Sequence, residues 1–414
     1  MSTNTFANLC INYTTSEALY AFLKSEEGGN LQVITASNVP EVPLSIIRYN
    51  KEKSDFSKEH VGYFRSVVWD DKTNRPVCVA PFRSVKSEEV DPFGSDSPVV
   101  VEEFVDGTMI NMFWYKHGWV LTTRSNLGAN NSFYGSRSYA ELFWEAFRAS
   151  NLTLDMLDKE QCYSWVLQHP EERIVVAAPY GIPRIRLVGL SQIRDDDGSY
   201  EVSTTVNHSP EIVKFFPEQY PLHSFQECKD RVVAWGKRFG ASWQGLVVKS
   251  GVNRWKFRSQ QYMEARALRG NQAKREYLWL EHWGKGTLFK YLNIYKEEEV
   301  LAMHVVANLK AETQAIYDTY MDVYFNRKYP LGQAPSKYRK FLWDLHQAKV
   351  GKFFGNTVKF VNGCETKRLL WLLHFDRRFG SEVAGSDVGV AGSDVGVAGN
   401  EVAAPHVDIA DEDI

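Results

Sequence analysis

Between about residue 30 and residue 262, apolar and polar positions alternate in short runs separated by turn residues, the period-two pattern of strands with one buried face. Residues 109–115 and 119–124 flank Lys116-His117-Gly118 and predict a β-hairpin. Residues 173–178 and 184–190, separated by a Pro/Gly turn, predict a second strand pair. From about 263 the period changes. Segments 263–283, 297–325, 335–349 and 365–377 are rich in helix formers, with spacings such as Leu301, Val305 and Leu309 that place apolar side chains on one helical face. From 381 the pattern stops: Gly-Ser-Asp-Val-Gly-Val-Ala recurs in tandem at 385–391 and 392–398, with too little bulk for a core. The chain therefore predicts an α+β protein in three parts: a sheet-built domain over 1–262, an all-helical domain over 263–380 and a disordered acidic tail over 381–414.

Composition adds few constraints. An apolar share of 44% and an aromatic share of 14% suit a folded, aromatic-rich chain long enough for more than one core. No run of about 18 apolar residues occurs, and Met1-Ser2-Thr3-Asn4-Thr5 lacks a basic stretch leading into an apolar one, so a soluble, cytoplasmic protein without a membrane span is expected. Cys10, Cys78, Cys162, Cys228 and Cys364 are far apart and odd in number, which fits reduced thiols and argues against structural zinc. The net charge of -3 conceals an asymmetry: eight Asp or Glu and no Lys or Arg follow residue 380, leaving 48 basic against 43 acidic side chains before it, a net +5. Such a body tolerates a polyanionic ligand, and the acidic tail would suit a basic protein partner, although a solvated surface and an inert extension explain both equally simply.

The chemistry concentrates in Val101-Glu102-Glu103-Phe104-Val105-Asp106-Gly107-Thr108. It is one of a series of segments in fixed order. The others are Arg65-Ser66-Val67-Val68-Trp69-Asp70, Ala80-Pro81-Phe82, Thr122-Thr123-Arg124, His169-Pro170-Glu171-Glu172-Arg173-Ile174-Val175, Gln244-Gly245-Leu246-Val247, and Lys256 to Tyr262. Over roughly residues 45 to 265 this series resembles the motifs of phage-type RNA ligases of the tRNA-repair kind, members of the nucleotidyltransferase superfamily. The resemblance implies a nucleotidyltransferase domain of antiparallel sheets with flanking helices, followed by a helical domain. It implies ATP as nucleotide, RNA as partner, and a lysine that takes up the adenylyl group. In that family the lysine heads the frame Lys-x-Asp-Gly. Here its place is held by Phe104, whose benzyl group has no lone pair with which to attack phosphorus.

Two further positions depart in the same direction. The resemblance implies glutamates that help hold the lysine and a divalent metal, and this chain has Val166 and Gln244 there. Valine cannot ligate a hard cation and a neutral amide does so weakly, which argues against the metal. The basic side is kept. Arg254, Lys256 and Arg258 alternate with Trp255 and Phe257, so a strand would put three cations on one face and two aromatics on the other. By resemblance Lys256 and Arg258 meet nucleotide phosphates, joined by Arg65 and Arg124. Asp106 and Gly107 complete the nucleotide-binding set, although as an Asp-Gly turn they also serve the backbone.

Lys86 and Lys116 are the nearest amines for a displaced nucleophile. Phe104, Phe113 and Trp114 are flat enough to stack on a base, as core aromatics also are. Residues 337–343 and 366–371 mix Lys and Arg with aromatics, which suits either an RNA-gripping face or an ordinary amphipathic helix. Three classes of function follow: a protein that binds nucleotide or RNA ends and is deficient in lysine-adenylate formation, an active RNA ligase with a non-standard nucleophile, and an interaction protein on a ligase fold.

Overall fold

The computed structural model describes residues 5–35, 43–85, 91–94, 97–196, 199–203 and 208–379. Its strands are β1 (Gln32–Thr35), β2 (Leu44–Arg48), β3 (Val67–Asp70), β4 (Arg75–Val79), β5 (Val99–Glu103), β6 (Thr108–Tyr115), β7 (Gly118–Thr122), β8 (Gln161–Gln168), β9 (Arg184–Asp196), β10 (Ser199–Ser203), β11 (Gly245–Ser250) and β12 (Asn253–Arg258). They form three antiparallel sheets in the orders β1-β2-β3-β4, β10-β9-β8-β6-β7 and β12-β11-β5. The chain divides after Asn271 into two compact units, and all three sheets belong to the first.

Helices α1 (Thr5–Asn12) and α2 (Ser16–Lys24) cover the first sheet, where Phe6, Leu19, Leu23, Ile47, Val67 and Trp69 share one core. Helix α3 (Tyr139–Ala149) packs on β8 and β9; Ser138 and Glu141 start it with a reciprocal capping box. Helix α4 (Phe225–Phe239) lies on one face of the three-stranded sheet, where Cys228, Val232, Leu246, Val248, Trp255 and Phe257 are buried together. The other face of that sheet is where the candidate site forms. Helix α5 (Gln260–Arg269) follows β12 directly, the Tyr262 amide donating to the Ser259 hydroxyl at 3.2 Å.

The second unit contains α6 (Arg275–Gly284), α7 (Leu288–Leu292), α8 (Glu299–Tyr320), α9 (Ser336–Gln347), α10 (Phe354–Asn362) and α11 (Thr366–Phe379). No helix among the described residues is long and apolar enough to cross a membrane.

The hairpin expected around Lys116 is present as β6 and β7, with Tyr115 opposite Gly118. Three local readings are corrected. Residues 173–178 are not a strand: the amides of Val175 and Val176 donate to the Asp106 carboxylate instead, and β9 pairs with β8 and β10. The stretch 263–283 is two helices, α5 and α6, because Gly270 at φ 57° closes the first. Leu301 is exposed while Ala302, Val305, Val306 and Leu309 are buried, so the core stripe of α8 is rotated by about one position from the expected one. The repeat tail lies outside the described residues.

Candidate functional site

Strand β5 ends at Glu103, and the amide of Phe104 donates to the carbonyl of Gly245 at 2.9 Å. That crossing explains the glycine: Gly245 has φ 151°, and a β-carbon there would lie 1.9 Å from the Phe257 carbonyl oxygen. The Phe104 ring is 3% exposed and packs with Ala80, Val105, Met109, Val166, Val188 and Val247. Lys256 Nζ lies 5.5 Å from the ring centroid and Arg258 Cζ 5.0 Å. Each contact contributes about 0.5–1 kcal/mol where water reaches it and ~2 kcal/mol where it does not. The position the resemblance gives to a nucleophile is thus an apolar plug under two cations.

Register puts the expected cations where alternation requires. Arg254, Lys256 and Arg258 lie opposite Lys249, Val247 and Gly245, on the same sheet face as Phe104, while Trp255 and Phe257 enter the α4 core. Val166 sits in the Phe104 cluster. Gln244 is 2% exposed, and its Oε1 is buried with no hydrogen-bond partner among the described residues. A valine and a neutral amide do not fit a divalent cation, which seeks charged oxygen ligands.

Asp106 and Gly107 are committed to structure. One Asp106 carboxylate oxygen accepts from the amides of Val175 and Val176 at 2.9 and 2.8 Å; the other accepts from the Tyr262 hydroxyl at 2.7 Å. Burial, first, and the Asp106 charge push the Tyr262 phenol far above its ordinary pKa, so it stays a donor. Gly107, at φ 149°, leaves room for β8: a β-carbon would meet the Leu167 carbonyl oxygen at 2.3 Å. Arg124 donates to the backbone carbonyls of Arg65 and Tyr49 at 3.3 and 2.9 Å, with its guanidinium 4.8 Å from the Tyr49 ring. Arg65 is 1% exposed. Arg124, just beyond β7, thus ties the end of that strand to the Tyr49 and Arg65 backbone beside the first sheet.

Two features escaped the sequence reading. On β5 and β11, the buried Glu102 forms an ion pair with Lys249, whose Nζ also donates to the Val188 carbonyl at 2.7 Å. Both line a cleft of about 390 Å³ walled by Ala80, Pro81, Phe82, Val188 and Arg254, and Ala80 and Val188 also touch the Phe104 cluster. The volume is within the usual range of ligand sites, about 300–1,000 Å³. The second feature is Arg184 and Arg186 on β9, which lie opposite Gln168 and Val166 and so share the face that Val166 presents to Phe104. The signal was an Arg-x-Arg step in a strand, the same alternation that singled out β12.

Other candidates are placed elsewhere. Lys116 is exposed at its hairpin tip with its amine 5.0 Å from the Tyr115 ring, and Lys86 lies outside the described residues. Phe113 is buried in the core, and Trp114 packs edge-on against Trp119. In the helical unit Lys337 bridges Glu312 and Asp376 on two other helices, and Asp344 pairs with Arg368 of α11 and with Lys340 one turn away on its own helix.

No family model matches the chain. Over 131 residues it is 32% identical to an RNA ligase of Rhodothermus phage RM378, an alignment spanning 29% of this chain and 28% of that protein. Two solved forms of an archaeal ATP-dependent RNA ligase superpose with TM-scores of 0.35 at 14% identity. They cover 70% and 71% of this chain and 72% and 73% of theirs, and a likeness at that level establishes no shared fold.

Proposed function

We propose that this chain is an RNA-ligase-like protein on a nucleotidyltransferase fold that binds a nucleotide or a 5′-phosphorylated RNA end and does not form lysine-adenylate at position 104. The observation that carries the reading is Phe104 packed beneath Lys256 and Arg258, a site that keeps phosphate-facing cations and has lost its nucleophile. The part similar to the phage RNA ligase supports the ligand class. The cleft beside Phe104 has room for a base and sugar, with apolar walls for stacking and Glu102 as an acceptor. ATP fits as ligand on those grounds. Asp106 and Gly107 hold the frame around this site in shape.

The test is incubation with α-labelled ATP and magnesium, denaturing electrophoresis, and a parallel titration with 5′-phosphorylated RNA. Saturable binding without retained label supports the proposal; label that survives denaturation overturns it. One observation favours a second reading, an enzyme with a displaced nucleophile: Lys249 Nζ lies in the cleft beside Glu102. Peptide mapping of any label to Lys249 would select that reading.

A further inference from the structure

The cations of β12 have counterparts on the opposing sheet. Arg186 lies across the ladder from Val166 and Arg184 from Gln168, and Val166 packs against Phe104, over whose ring Lys256 and Arg258 are held. Register therefore places Arg184 and Arg186 on the face of the second sheet that Val166 presents to Phe104. We infer that Arg184 and Arg186 complete the anion site from the second sheet, and that the four cations hold a phosphate by direct charge-assisted bonds with no divalent metal. This rests on the binding function proposed above.

Three observations support the inference. First, Arg186 Nε is buried and lacks a hydrogen-bond partner among the described residues, while one Nη donates only a long bond, 3.4 Å, to the Lys214 carbonyl. Arg184 spends one donor on Gln168 Oε1 at 2.6 Å. A guanidinium has five donors, so both retain forks for a phosphate. Second, adjacent guanidinium groups oppose each other: burial, then the Arg186 charge, disfavours the charged form of Arg184. A dianion would relieve that cost. Third, the acidic groups facing the cluster do not amount to a metal site. Glu103 is the carboxylate that acts on both arginines; burial raises its pKa and their charges oppose the rise. Glu102 is already paired with Lys249, and Val166 and Gln244 bring no charge.

A metal normally offsets phosphate charge and supplies positioning. Here fixed side chains on two rigid strands would do both, and arginine matches phosphate in a planar, bidentate way that lysine does not.

The experiment uses the full chain and a 5′-phosphorylated oligoribonucleotide, with its 5′-hydroxyl counterpart as control, titrated at matched ionic strength in excess EDTA and in magnesium chloride. Equal affinity in the two buffers is expected, with preference for the phosphorylated end. Arg186→Gln should weaken binding roughly tenfold, the loss of one charge-assisted bond, and flatten the salt dependence by about one unit. Arg186→Lys, which keeps the charge and loses the fork, should recover the salt slope more than the affinity, and a thermal melt of each variant checks the fold. Binding that appears only with magnesium, or variants that bind like wild type, would overturn the inference and leave the binding function intact. Absence of binding by folded wild-type protein in both buffers removes both proposals.

Discussion

Placing a lysine at position 104 tests the site at its centre. Phe104→Lys supplies the amine that the resemblance expects there, but into surroundings built for a ring. The ring is 3% exposed among six apolar neighbours, so its removal forfeits about 1.5–3 kcal/mol of burial. The two cation–ring contacts, at 5.0 and 5.5 Å, become repulsions. A protonated amine at that place would meet each neighbour at about 3 kcal/mol, taking an effective dielectric of ~20. The amine therefore sits neutral or turns away, and the expected net loss of stability is about 3–5 kcal/mol, within the range of mutations that bury an unpaired charge. Neutrality alone does not restore reaction, because Val166 and Gln244 leave no carboxylate to orient the amine and catalytic groups acting as a unit are strongly non-additive. The assay is chemical denaturation with α-labelled ATP transfer followed on denaturing gels. A covalent nucleotide on the single variant would refute the reasoning; so would a stability loss under about 1 kcal/mol, which would mean that the ring is not packed as described. Label should return only when Val166→Glu and Gln244→Glu accompany the lysine.

Lys256→Ala with Arg258→Ala should weaken binding of 5′-phosphorylated RNA by about 1.5–3 kcal/mol per charged bond removed, read by titration at low salt, with the fold unchanged by circular dichroism. Asp106→Ala strips three donors of their acceptor, and a loss of about 3–5 kcal/mol is expected, less than three separate bonds because they share one carboxylate. Faster hydrogen exchange at Val175 and Val176 would locate that loss, and unchanged exchange there would contradict it. His169 accepts the Glu171 amide on Nδ1 at 3.2 Å, and burial holds its pKa below the ordinary value against the opposing pull of Glu145. The unfolded chain then binds more protons, so this contribution is fully present above an unfolded pKa of about 6.5 and is lost as pH falls from there through the lower folded value. Denaturation midpoints measured across that window should decline toward acid, and less steeply in His169→Gln.

The segments that resemble RNA-ligase motifs, and a phenylalanine where that resemblance expects a lysine, were legible in the sequence, because a nucleophile is a property of one side chain and alternation along a strand already sorts its faces. Thus Lys256 and Arg258 could be placed on a common face without a structure, and Phe104, Val166 and Gln244 could be counted as departures. What cannot be read along the chain is which strands oppose one another. Register across β8 and β9 is what puts Arg184 and Arg186 on the sheet face that Val166 presents to Phe104, and an ion pair between β5 and β11 joins Glu102 and Lys249 in one cleft. The same limit explains the error at 173–178: its valines look like a strand, but their amides found a carboxylate some seventy residues earlier in the chain, at Asp106. Arg65 and Arg124 show the converse. The resemblance gives both to phosphate, whereas packing turns the Arg124 guanidinium toward the backbone of Arg65 and Tyr49. Local chemistry is written residue by residue; hydrogen-bond partners and neighbours in space are chosen by the closing of sheets on one another, and only the tertiary structure decides them.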